Sequence, residues 1–190
     1  MDSQDLEKEK GITINSKVTS MTYKDYTINI VDTPGHQDFG GEVERVLSMV
    51  DGVILVVCGT EGTKRQTKFV LQKAIQHNLM PLVVVNKIDR DTCDLDAVQN
   101  SISDLVCDVA PDEKYLEYET LYTSAVKEYL FENEEDIGKK DKQKGMDFIL
   151  EKIIEYFPPP KFNDNQEDFQ VLVSQIHHDN HFGKYVTGKV

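Results

Sequence analysis

Cysteine is scarce, and its spacing fits no metal site. Cys58, Cys93 and Cys107 are the only three in 190 residues, with no C-x-x-C pair and no histidine at ligand spacing. That pattern argues against a disulfide framework or a structural zinc and for reduced intracellular thiols, cytoplasmic or organellar. Long apolar runs are also lacking: no stretch approaches the ~20 residues of a membrane-spanning helix. Nothing after Met1 reads as a signal peptide, so no membrane partner is expected. Basic residues are outnumbered, 21 Lys and Arg against 34 Asp and Glu, giving a formal net charge of −13. A surface this acidic repels nucleic-acid phosphates, which excludes a broad RNA-binding face and equally serves solubility. One chemical absence stands out. Nowhere does the chain read G-x-x-x-x-G-K-[ST], the loop whose backbone N–H groups cradle phosphates. Gly59-Thr60-Glu61-Gly62-Thr63-Lys64 has glycines and a lysine at the wrong spacing.

What is present is an alternation of strand and helix patterns. Although only 39% of residues are hydrophobic, Val, Ile and Leu fall in dense runs, and the length suits one α/β domain and the start of a second. Residues 18–23 and 26–31 alternate around a Lys24-Asp25 turn and predict a hairpin. Helical spacing follows over 38–49, 64–78, 94–109, with Asp94 as N-cap, and 146–157. Between these helices lie 52–57 and 81–85, continuous apolar runs expected of strands buried on both faces. Residues 121–123 read as the domain's last strand, and 132–144 as a mobile, charge-rich insertion. Pro158-Pro159-Pro160 stops the last helix and begins a stiff linker. Beyond it, 169–173 alternates like a strand, with Gly183 and Gly188 marking turns. No internal repeat is evident.

Three of these strands end on chemistry-bearing residues. Ile28-Asn29-Ile30-Val31 runs into Asp32-Thr33-Pro34-Gly35-His36, Leu82–Val85 into Asn86-Lys87-Ile88-Asp89, and Thr120–Thr123 into Ser124-Ala125. All three are expected on one rim of one sheet, where open α/β sheets bind ligands. Gly35 lacks a Cβ, so a phosphate can approach its N–H closely, and His36 is placed to reach an attacking water. Alone, Asn-Lys-x-Asp reads equally well as a strand-end turn. The other histidines, His77, His177, His178 and His181, have no such context.

This set, in this order, resembles the GTPase signature, and Asp-Thr-Pro-Gly-His is similar to the form found in translational GTPases. The flanks Asp5–Ile14 and Phe39–Val46 most resemble the BipA/TypA branch. The resemblance implies a P-loop GTPase-type α/β sheet with flanking helices, its first strand and phosphate loop missing, followed by the start of a β-barrel. Residues 1–160 would be the GTPase domain; 161–190 would be the linker and first strands of the second domain. It further implies a GTP-hydrolysing translation factor acting on the ribosome mainly through parts outside this segment, with GTP or GDP and Mg²⁺ as ligands. In that frame Asp89 accepts from the guanine edge, while Asn86 and the stem of Lys87 hold and cover the base. The N–H of Ala125, after Ser124, meets the guanine oxygen. Asp32 and Thr13 hold Mg²⁺, Gly35 bonds the γ-phosphate and His36 positions the water.

Without the phosphate loop, the chain alone is expected to bind nucleotide weakly, to be inactive and to aggregate through exposed strand edges. The rival readings are a P-loop-less protein-binding module and a piece of another translational GTPase such as elongation factor G. Cys58, where the family commonly has Asp, and Lys64-Arg65 depart from the pattern without touching the nucleotide motifs.

Overall fold

A computed structural model of the chain describes residues 16–33, 40–160, 169–179 and 181–190. In chain order the elements are β1 (Lys17–Tyr23), β2 (Tyr26–Asp32), α1 (Gly40–Leu47), β3 (Val53–Cys58), α2 (Arg65–Gln76), β4 (Pro81–Asn86) and α3 (Leu95–Val109). There follow β5 (Thr120–Ser124), β6 (Tyr129–Phe131), β7 (Lys144–Gly145), α4 (Phe148–Tyr156), β8 (Leu172–Asp179) and β9 (Gly183–Lys189). They fall into two units, one made of Gly52–Pro158 with Thr22–Tyr26, the other of Met1–Met21, Thr27–Asp51 and Pro159–Val190.

The first unit is built on a five-stranded sheet of order β3-β4-β5-β6-β7. β3, β4 and β5 are parallel because a helix crosses over between each pair, and Val57 opposes Val85 while Val85 opposes Tyr122. Helix boundaries follow local chemistry. The Asp94 carboxylate accepts from the Ala97 N–H at 3.0 Å, as its N-cap position predicts. At the start of α2, where no acidic residue stands, the Lys64 N–H is taken by Thr67 Oγ1 at 3.1 Å.

Because side chains alternate along a strand, β4 buries residues on both faces. Val83 and Val85 join Leu55, Val57 and Tyr122 beneath Leu71 and Ile75 of α2 and Val98, Ile102 and Val106 of α3. Leu82 and Val84 join Leu121 and Leu130 beneath Phe148, Ile149, Tyr156 and Phe157 of α4 and its C-cap. Gly52 allows this second layer to close, since a Cβ there would lie 2.2 Å from the Phe157 ring. At the hairpin tip, Lys24 adopts φ 52°, and Glu151 of α4 accepts from Tyr23 Oη at 3.1 Å and Lys24 Nζ at 2.8 Å.

Several expectations are corrected. Among the described residues β2 pairs with β1 in a two-stranded sheet, so the strand that Asp32 ends is not hydrogen-bonded into the five-stranded sheet. The physical reason is pairing: among the described residues no strand bonds the outer edge of β3. β3 is also not buried on both faces, since Val56 is 61% exposed. Nor is β5 the last strand. β6 returns antiparallel to it, with Ser124 opposite Tyr129, and β7 pairs with β6.

The charge-rich segment 132–144 is ordered by opposite charges meeting rather than repelling. Lys144 meets Glu132 at 2.6 Å and Lys139 meets Asp136 at 3.0 Å. The Lys152 side chain, 13% exposed, lies within 3.6 Å of Glu119, Glu132 and Glu155.

In the other unit, Val43, Val46 and Leu47 of α1 are buried, as their helical spacing predicts. The strand expected over 169–173 begins later, at Leu172, and forms an antiparallel hairpin with β9 around Gly183. Gly188 marks no turn: it lies within β9, where a Cβ would come 2.2 Å from the Leu172 carbonyl oxygen.

Two outcomes follow from this packing. Val56→Lys should slow aggregation of the chain, read by light scattering, because a charge on an exposed edge strand blocks edge pairing. Its unfolding free energy, from urea titration, should change by less than about 0.5 kcal/mol. The Lys144 and Lys152 ammonium groups hold the Glu132 carboxyl below its usual value, Lys144 most. Glu132 therefore favours folding above the ordinary Glu pKa of about 4.3, and that contribution is lost as the pH falls through the depressed folded value. Between about pH 5 and pH 3 the urea midpoint of Glu132→Gln should fall less than that of the wild type.

Candidate functional site

Three chain segments meet at the carboxyl ends of β3, β4 and β5, and Asn86 joins them. Its carbonyl oxygen accepts from the Gly59 N–H at 2.7 Å, tying the end of β3 to β4. Its side-chain Oδ1 accepts from its neighbour's N–H, Lys87, at 2.8 Å and from the Ala125 N–H at 3.2 Å. Asn suits this task because its amide oxygen carries two lone pairs and no charge. A further bond, Ile88 N–H to the Thr123 carbonyl at 3.3 Å, runs parallel to it.

The loop after β4 is bent sharply at Lys87, whose φ is 67°. A non-glycine residue in the left-handed region costs about 1 kcal/mol or more and persists only where its surroundings hold it; here the Asn86 amide is the holder. The bend exposes Lys87 and leaves Ile88 packed against the core.

Asp89 follows, its side chain only 16% exposed and its Oδ2 3.9 Å from Lys127 Nζ. A hydrogen bond from the buried Ser124 hydroxyl is the main reason its carboxyl lies below the usual Asp value, with Lys127 and Arg90 acting in the same direction. Asp89 is thus an ionised acceptor, which suits a partner presenting adjacent N–H groups. The Ala125 N–H, expected to face a guanine oxygen, is here donated to Asn86. Val126 beside it is 88% exposed, an apolar surface at the mouth of the loops.

At the end of β3, burial pushes the Cys58 thiol up. Hydrogen bonds from the Thr60 hydroxyl and the N–H groups of Thr60 and Glu61, with the Lys87 ammonium, outweigh this and leave it below the usual Cys value. Cys93 packs against the same turn, and a Cβ on Gly59 would lie 2.9 Å from its sulfur.

The structure therefore brings together Asn86, Lys87, Asp89, Ser124 and Ala125. Asp32 ends β2 in the other unit and is half-buried, while Thr13, Gly35 and His36 lie outside the described residues. Among the described residues no group of three or more His, Cys, Asp and Glu could hold a metal. Mg²⁺ bound to substrate phosphates takes only one or two protein oxygens, so Asp32 with Thr13 remains a compatible donor set. Sequence reasoning missed Lys127 and the turn at Gly59, because neither residue belongs to a spaced pattern.

Comparison with known proteins adds to this geometry. Residues 1–159 match the family described as Elongation factor Tu GTP binding domain. The chain is 47% identical over 190 residues to the large ribosomal subunit assembly factor BipA of Buchnera aphidicola subsp. Schizaphis graminum, and 44% to that of Bacillus subtilis. Each match covers all of this chain but 30% of the relative's length. Among solved structures, translation elongation factor SelB from Methanococcus maripaludis, in complex with the GTP analogue GppNHp, superposes with a TM-score of 0.66 at 19% identity. That match covers 93% of this chain and 35% of SelB. At that identity the likeness speaks to the fold alone, a mixed α/β sheet with flanking helices. The match over 1–159, together with similarity along all 190 residues to part of BipA proteins, establishes that the chain belongs to the elongation factor Tu GTP binding domain family.

Proposed function

We propose that this chain is the guanine-nucleotide-binding part of a GTP-hydrolysing translation factor that acts on the ribosome. The observation that carries the reading is the Asn86 amide joining the Lys87 and Ala125 backbones beside an Asp89 carboxylate bonded by Ser124. The names of the BipA relatives support the ribosomal part.

Each residue has a derivable task. Asp89, ionised, accepts the N1–H and 2-amino group of guanine in two charge-assisted bonds of roughly 1.5–3 kcal/mol each. Adenine lacks that donor pair and would leave the carboxylate unpaired, which is the basis of selectivity. Lys87, bent outward, covers the base with its aliphatic stem. The Ala125 N–H turns toward the guanine oxygen when a base is present, sharing or leaving its bond to Asn86. Asp32, Gly35 and His36 of the motif at the end of β2, with Thr13 from the segment before β1, would serve the phosphates: Asp32 and Thr13 would hold Mg²⁺, Gly35 would bond the γ-phosphate and His36 would orient the water. Mg²⁺, when bound, neutralises phosphate charge. Release of the γ-phosphate frees the segments around Thr13 and His36, an order–disorder switch. Because these 190 residues contain no G-x-x-x-x-G-K-[ST], the chain by itself should hold the phosphates poorly and bind GDP only weakly.

The test is Asp89→Asn, titrated with GDP and with xanthosine diphosphate while following the Lys87 and Ala125 amide resonances. Asn presents one acceptor and one donor, which matches the N1–H and 2-carbonyl of xanthine. GDP affinity should fall about tenfold or more and xanthosine diphosphate should become the preferred ligand. An unchanged preference, or no response of the wild type to millimolar GDP, overturns the reading in favour of a protein-binding module.

A further inference from the structure

Lys127 belongs to none of the motif residues, yet it touches the site twice. Its N–H donates to Ser124 Oγ at 3.3 Å, and its ammonium stands 3.9 Å from Asp89 Oδ2. The Ser124 hydroxyl, accepting from Lys127, is also the main group holding the Asp89 carboxyl below the usual Asp value. Lys127 and Ser124 therefore act on one carboxylate in a short circuit. The turn supporting this circuit is fixed on both sides: Glu128 takes φ 56°, and Thr123 Oγ1 donates to the Tyr129 carbonyl at 2.8 Å across β5 and β6. The Lys127 side chain remains 57% exposed. An ammonium in that position adds little to folding stability. Its effect is on Asp89.

We propose that Lys127 is a positioning residue for base recognition, fixing the Asp89 carboxylate together with Ser124 so that both oxygens face a pair of N–H donors. The inference rests on the nucleotide reading above and deepens it. A carboxylate rotates easily about its last side-chain bond, because terminal torsions of this kind are broad. Each further contact narrows that rotation. The consequence depends on the ligand. Hypoxanthine offers the carboxylate one N–H and tolerates rotation, whereas guanine offers two and does not. Lys127 should therefore matter for guanine and hardly at all for hypoxanthine, a distinction that a merely structural role would not produce. The other groups acting with Asp89 are its own backbone N–H, Arg90 beside it in the chain, Cys93 at the end of its loop and Tyr129 on β6. None of these circuits through Ser124 as Lys127 does.

The experiment titrates GDP and inosine diphosphate into the 190-residue chain, reading the amide resonances of residues 86–89. Lys127→Ala should lower GDP affinity about fivefold and leave inosine diphosphate within about twofold. Lys127→Arg should restore the wild-type ratio, because its cation reaches the same carboxylate. The urea midpoints of both variants should match the wild type. Equal losses for the two ligands, or no loss for either, overturn the inference while a wild-type GDP response keeps the nucleotide reading. A wild type that does not respond to GDP overturns both.

Discussion

The candidate site depends on one side-chain amide. The Asn86 side chain receives N–H groups from the end of β5 and from the residue that follows it, while its backbone carbonyl receives the Gly59 N–H from the end of β3. Three strand ends that would otherwise fray into separate loops are thus held at fixed spacing. A hydrogen bond at such a place contributes only about 1 kcal/mol net, but leaving its partners unmet costs about 1–3 kcal/mol each. The left-handed turn at Lys87 adds a local cost that Asn86 offsets. Asp89 and Ser124 then meet because the loops carrying them are already joined.

The sheet beneath explains why this rim is rigid enough to matter. β4 is buried on both faces, and its carboxyl end, where Asn86 stands, is pinned between parallel neighbours. Sites carried by the ends of well-packed strands hold their geometry better than sites on free loops. The edge at β3 is the contrast: Val56 is left to solvent on a strand with one partner. On the far side, β6 and β7 extend the sheet, and at Lys152 three carboxylates gather around one largely buried cation.

Much of this was legible in the residues. The valine runs of β3 and β4, the Asp94 cap and the helical spacing of α1 to α4 carry their own periodicity, and strand ends bearing Asn86, Asp89 and Ser124 follow from where those runs stop. The ordering of 132–144 was not legible, because a run of mixed charge reads as repulsion or solvation unless the partners are known. Lys144 and Lys152 supply those partners from 12 to 20 residues beyond Glu132. Gly188 looked like a turn since glycine serves both turns and close backbone approach, and only the β8–β9 register decides between them. Membership of Asp32 in one sheet or another is set by strand pairing, which no local pattern encodes. Lys127 was silent for the same reason: its meaning comes from a fold-level meeting of two loops.

The most direct measurement is native-state amide hydrogen exchange at Lys87 and Ala125 in the wild-type chain and in Asn86→Ala. If one amide oxygen holds both loops, the two N–H groups lose protection together, by about tenfold or more, while the amides of β4 itself keep theirs. Retained protection at either position, or loss at Lys87 alone, would contradict the account.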